Sequence, residues 1–214
     1  MHSPAKMRRA AAHIVDIDPA FEQIVESSPL CTIGSKKYLR EESHFETLVK
    51  SVCSQQLSVK AADTIIDRLY VVTQNTVTPK KIASMKPTAL REAGLSNAKV
   101  RTIQEMGHAV VTGELDLEAL DNHEENDHIV DELTKLWGIG RWTAEMFMMF
   151  KLYRLDVWPV GDLAMRRGWE RIHRMRKEID PKVLDRRADS LSPYRSVVAW
   201  YCWRAVDDGT SDSW

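Results

Sequence analysis

Two short stretches of this chain carry residue types that could do chemistry, and they follow one another closely. The first is Leu136-Trp137-Gly138-Ile139-Gly140, leading into Arg141-Trp142-Thr143. Its glycines permit positive φ in a tight connection between helices and leave main-chain N–H groups uncovered. Bare N–H groups at a helix N-terminus attract anions, phosphate above all, although a plain helix–helix corner also favours glycine. The second stretch is Asp156-Val157-Trp158-Pro159-Val160-Gly161-Asp162, with Asp162 just ahead of a helical segment. Locally, capping is the commonest reason for aspartate in such a place. A carboxylate held at a helix N-terminus also stays ionised and aimed, as electrostatic or general-base work requires. Tryptophan is frequent, at 7 residues. The indoles of Trp142, Trp158 and Trp203 offer faces that attract cations, with core packing as the ordinary alternative.

The elements that must position these residues read as helices throughout. Asp18-Pro19 marks an N-cap followed by proline, and Ser43 to Glu46 fits a capping box. Ser58 and Ser96 can cap two longer amphipathic helices, the second closed by Gly113. Thr78-Pro79 and Lys86-Pro87 start two short ones, and three more follow Asp162 near 163–174, 181–190 and 194–206. No segment alternates with period two over a useful length, so the expected class is all-α. The basic N-terminal segment has no apolar h-region and reads as a frayed end rather than a secretory signal.

With 214 residues the chain can bury one substantial core or two smaller ones. Cys31, Cys53 and Cys202 are odd in number and widely spaced, which fits neither a disulfide framework nor a four-cysteine iron–sulfur loop. The histidine spacing suggests no zinc site. A formal net charge of −1 argues weakly against nucleic acid, but the distribution is uneven. Every charged residue from Glu114 to Glu132 is acidic, whereas 163–187 holds nine basic residues against four acidic ones. A basic face for a polyanion is compatible with that split, and so are ordinary solvated helix faces.

The wording GIGRWTAEM followed by DVWPVGDL resembles the helix-hairpin-helix and catalytic loop of the HhH-GPD DNA glycosylase superfamily. Within it, the similarity is to the short form of 3-methyladenine DNA glycosylase II. The segments SVCSQQLSVKAA and Pro193-Tyr194-Arg195-Ser196 with its following aromatics extend the resemblance over most of the chain. It implies two helical lobes, 39–156 carrying the helix-hairpin-helix and 1–38 plus 157–214 completing a catalytic cleft between them.

The resemblance also implies roles. Asp162 matches the catalytic aspartate, which would stabilise the sugar cation as an N-glycosidic bond breaks, and Asp156 would hold its loop in place. Trp142 stands where bifunctional relatives carry a Schiff-base lysine, so the chemistry should stop at base release. Trp142, Trp158, Trp203 and Met146 would line the base pocket. Gln56 matches the residue that fills the gap left by a flipped nucleotide. Leu57, Ser58 and Lys60 beside it, and Gly138, Ile139, Gly140, Arg141 and Thr143 in the hairpin, would contact DNA. Main-chain carbonyls of Thr134, Leu136 and Ile139 would hold a monovalent cation, Na⁺ or K⁺, with no cofactor required for the chemistry. Trp137 replaces the proline usual in the hairpin.

The expected function is a monofunctional glycosylase that flips and excises alkylated purines from double-stranded DNA in base excision repair. It would act as a monomer, away from membranes, in the cytoplasm or with the nucleoid or nucleus. The alternative is a helix-hairpin-helix DNA-binding module without catalysis.

Overall fold

Helix starts follow the caps that the sequence supplies. The computed structural model describes residues 1–35 and 42–207. Ser3 caps α1 (Pro4–Ile17), where Met7, Ala10, Ala11 and Ile14 are buried. The expected frayed N-terminus is therefore a packed helix, because its alanine-rich stretch presents one apolar face. Asp18 caps a single 3₁₀ turn at Pro19–Phe21, and α2 (Glu22–Ser27) follows.

Ser43 caps α3 (His44–Ser54) and Ser58 caps α4 (Val59–Thr73). Only half of the expected capping box forms: Ser43 Oγ accepts from Glu46 N at 3.1 Å, while Glu46 Oε1 instead accepts from Tyr70 Oη at 2.6 Å. The short helices α5 (Pro79–Ser84) and α6 (Pro87–Glu92) lead to α7 (Asn97–Thr112), capped by Ser96 and closed by Gly113 in the left-handed conformation. Then come α8 (Asn126–Thr134), α9 (Arg141–Phe150), α10 (Leu163–Ile172), α11 (Pro181–Arg187) and α12 (Arg195–Val206). There is no strand among the described residues, and the all-α class holds. No described helix is long and apolar enough to cross a membrane.

The chain divides into two compact units, Glu41–Phe147 and Met1–Arg40 with Met148–Trp214. The first was expected to span 39–156; its expected start lies outside the described residues. Beyond Phe147 the chain is tied to α12, where Ser196 N donates to Leu155 O at 2.9 Å.

In the first unit, α3, α4, α6 and α7 bury Phe45, Leu48, Val49, Leu69, Leu90 and Ile103. The buried His44 ring faces Glu118 Oε2 at 3.2 Å and Asp121 Oδ1 at 3.0 Å, one carboxylate on each nitrogen. The two nitrogens lie on different edges of the ring, so one ion cannot engage both. This arrangement is a clamp between α3 and the acidic segment, which is not simply a solvated face.

In the second unit α10 crosses α12 so closely that a Cβ on Gly168 would run into the Cys202 carbonyl. Phe21 and Trp169 pack edge to face beneath that crossing, with centroids 5.6 Å apart. All three cysteines are buried and free, and burial pushes the Cys31 and Cys53 thiols up to about 12, so both remain unreactive thiols near neutral pH.

Candidate active site

In the second unit, Asp162 is the N-cap of α10, and its Oδ1 accepts from Met165 N at 2.7 Å. The same oxygen accepts from Trp203 Nε1 at 3.0 Å. Capping and aiming are thus one arrangement, since two N–H donors fix a single carboxylate oxygen at the positive end of a helix. The loop before it is also tied down. Asp162 N donates to Pro159 O at 2.8 Å, and Arg166 Nη1 donates to Val160 O at 3.2 Å.

Further back, Arg195 forks onto Asp156 with Nε to Oδ1 and Nη2 to Oδ2, both at 2.8 Å, and Ser192 Oγ donates to Oδ2 at 2.9 Å. Burial alone would raise the Asp156 carboxyl; the hydrogen bonds from Arg195 and Ser192 outweigh it and hold it below its usual range. Ser196 Oγ clips Val157 N at 2.8 Å. The catalytic-loop candidate is therefore fastened to α12 at both ends. Trp158 is buried against Trp169, with centroids 6.1 Å apart, and Trp203 lies 5.9 Å from Phe150. Trp203, expected only as a pocket face, also bonds the carboxylate.

In the first unit the hairpin joins α8 to α9. Of its glycines only Gly138 takes positive φ, at 84°, and a Cβ there would strike the Thr102 hydroxyl. Gly140 does not need the left-handed region, and space around it is open. Its carbonyl accepts from Ala144 N, the first bond of α9. So the two glycines, read alike from sequence, differ: one is a tight fit and the other leaves a helix N-terminus unobstructed.

Arg141 is exposed and pairs with Asp127 and Glu145 at 3.4 and 3.6 Å. Trp142 is 38 % exposed on the first turn of α9, whereas Ile139, Thr143 and Met146 are buried. Thr143 Oγ1 accepts from Gln55 Nε2 at 3.2 Å, and the side chain is turned into the protein. Gln56 is exposed with φ 57°, a left-handed conformation that costs a non-glycine residue about 1 kcal/mol. Leu57 beside it is 41 % exposed. Ser58 accepts from Ala61 N as a cap, and Lys60 is exposed in the first turn of α4.

Residues 49–193 match the family described as HhH-GPD superfamily base excision DNA repair protein. The chain belongs to that superfamily. It is 29 % identical to DNA-3-methyladenine glycosylase 1 of Schizosaccharomyces pombe, over 92 % of this chain and 87 % of that one. The S. pombe 3-methyladenine DNA glycosylase solved in complex with abasic DNA superposes with a TM-score of 0.80, covering 92 % of this chain and 95 % of that one. A DNA-3-methyladenine glycosidase structure from Bacillus halodurans gives 0.79 at 34 % identity, covering 92 % and 88 %.

Several residues of this HhH-GPD site carry no local signal. Lys99 and Thr102 act through partners distant in sequence, whereas Gln55 and the Arg195-Ser196 pair sit in recognisable motifs. The Asp156 cluster predicts a pH dependence. A carboxyl depressed on folding contributes stability that is present above its unfolded value near 3.8 and is lost as pH falls through the folded value. Asp156→Asn should cost about 2 kcal/mol at pH 7. In denaturant titrations its deficit against the parent should shrink steadily below pH 4, whereas a deficit constant from pH 7 to 3 would assign the loss to packing.

Proposed function

We infer that this protein is a monofunctional DNA glycosylase that excises alkylated purines of the 3-methyladenine type and leaves an abasic site. The observation that carries the catalytic assignment is the Asp162 carboxylate, held by Met165 N–H and the Trp203 indole N–H. An N-alkylated purine bears positive charge and is already a good leaving group, so the protein must chiefly stabilise the cation that develops on the sugar. The ionised Asp162 does this. Water adds its oxygen to C1′, its proton passes to Asp162 or to solvent, and the glycosidic electron pair leaves with the base.

Position 142 offers an exposed indole instead of an amine. No Schiff base can form there, and the strand stays intact. Each within its own unit, Trp142 in the first and Trp158 and Trp203 in the second are the indoles suited to a cationic base, each contact contributing roughly 0.5–2 kcal/mol. Met146 stands behind Trp142 one helical turn along α9. The Gly140–Arg141 helix start grips phosphate, and Gln56 with Leu57 fills the space of the extruded nucleotide. The enzyme acts as a monomer on duplex DNA, wherever the chromosome lies.

A monovalent cation fits the hairpin. Among the described residues no main-chain N–H is directed to the carbonyls of Thr134 or Ile139, and Thr134 ends α8, where the helix dipole favours positive charge. With Leu136 O, these carbonyls would hold Na⁺ or K⁺, which supplies charge for phosphate binding and takes no part in bond breaking. Replacing K⁺ with tetramethylammonium at constant ionic strength should weaken duplex binding several-fold. Unchanged affinity would remove the cation from the account.

The decisive assay is base release from dimethyl-sulfate-treated DNA. The parent should liberate methylpurines without nicking the strand until heat or alkali is applied. Asp162→Asn should lose at least 100-fold in rate while duplex binding persists. Release by Asp162→Asn at the parental rate would reduce Asp162 to a cap, and no release from the parent would favour the non-catalytic module.

A further inference from the structure

Gln56 sits in a costly backbone conformation on an exposed turn, and a turn of four polar or exposed residues does not hold such a shape unaided. Two neighbours hold it. The Gln55 side-chain amide donates to Gly138 O and to Thr143 Oγ1, each at 3.2 Å. One acceptor is in the hairpin, the other in the first turn of α9. From the opposite side Lys99 Nζ donates to Cys53 O at 2.9 Å and Gln55 O at 2.8 Å, the carbonyls left open where α3 ends.

Lys99 lies in the first turn of α7. One turn further along the same helix, Thr102 packs under Gly138, and the Arg101 guanidinium lies 4.2 Å from the centroid of the Trp137 ring. Helix α7 therefore supports both the 55–58 turn and the hairpin, and Gln55 bolts the two together directly. Partial burial lowers the Lys99 ammonium from its ordinary value.

We propose that Gln55 and Lys99 are positioning residues for nucleotide flipping: they hold the Gln56 wedge in register with the phosphate-gripping hairpin. This rests on the glycosylase reading above. A lysine at a DNA-facing turn would ordinarily be taken as a phosphate contact. Here both close partners are main-chain carbonyls, so its charge is committed inside the protein. The link acts on the step in which the base leaves the stack, because only then must the wedge enter the duplex while the hairpin holds the backbone.

The test compares the parent with Gln55→Ala, Lys99→Met and Thr143→Val in single-turnover excision of one alkylated purine. The lesion is placed either in a fully paired duplex or opposite a mismatch that lowers the flipping cost. For Gln55→Ala and Lys99→Met we expect at least a tenfold loss on the paired substrate and less than a threefold loss on the mismatched one. Thr143→Val, which removes one of the two Gln55 acceptors, should show a smaller loss in the same direction. Each variant's thermal melting is measured alongside, and the slope of log Kd against log salt on undamaged duplex should stay at the parental value.

Equal losses on both substrates would overturn the proposal and leave a general structural role. A slope reduced by about one for Lys99→Met would make Lys99 a phosphate contact instead. Full activity of the variants on paired DNA would refute the link alone, whereas an inactive parent would refute the glycosylase reading itself.

Discussion

The geometry of one carboxylate oxygen constrains the rest of its unit. Asp162 Oδ1 takes two donors of different origin, a main-chain N–H of the helix it caps and an indole N–H from α12. For both bonds to exist at once, α10 and α12 must cross at short range and in a fixed register. Gly168 makes that approach possible, since any side chain there would meet the Cys202 carbonyl. Cys202 immediately precedes Trp203, so the residue that admits the close crossing and the residue that aims the carboxylate are set by the same contact.

The loop that leads to Asp162 is held with comparable redundancy. Arg195 and Ser192 grip Asp156, and Ser196 clips Val157, all at the start of α12. Anchoring at both ends limits how far the carboxylate can drift, and for a group that acts on a reacting centre an error of about 1 Å can cost 100-fold in rate. The first unit shows the same sharing of supports. Helix α7 underlies the hairpin through Thr102 and Arg101 and the 55–58 turn through Lys99, so two turns share one support.

What could be read from sequence was local. Serine, threonine and aspartate caps announced most helix starts because a cap acts within three residues of itself. The helical class, the hairpin and the Asp162 loop were legible for the same reason, aided by family resemblance. The missed features depend on distant partners. Nothing near Gly138 and Gly140 says that one packs against Thr102 while the other faces open space. Nothing around Lys99 marks it as a cap for α3, and Trp203 betrays no bond to a residue 41 positions away. The N-terminal segment looked polar and basic, yet its small residues, Ala10 and Ala11, let α1 pack closely. The bonds of Leu155 and Asp156 to residues about forty positions later leave no local trace either.

The Trp203 indole works either through Asp162 or only as an aromatic surface. A double-mutant cycle on the single-turnover rate of methylpurine release, with Trp203→Phe, Asp162→Asn and the pair, separates the two. Phenylalanine keeps the aromatic face and removes only the N–H donor. If that donor aims the carboxylate, Trp203→Phe alone should slow release by about 10- to 100-fold, the loss of one hydrogen bond to a charged group. It should then slow the Asp162→Asn background hardly at all. The same fold loss in both backgrounds would contradict the account and return Trp203 to a role in base stacking.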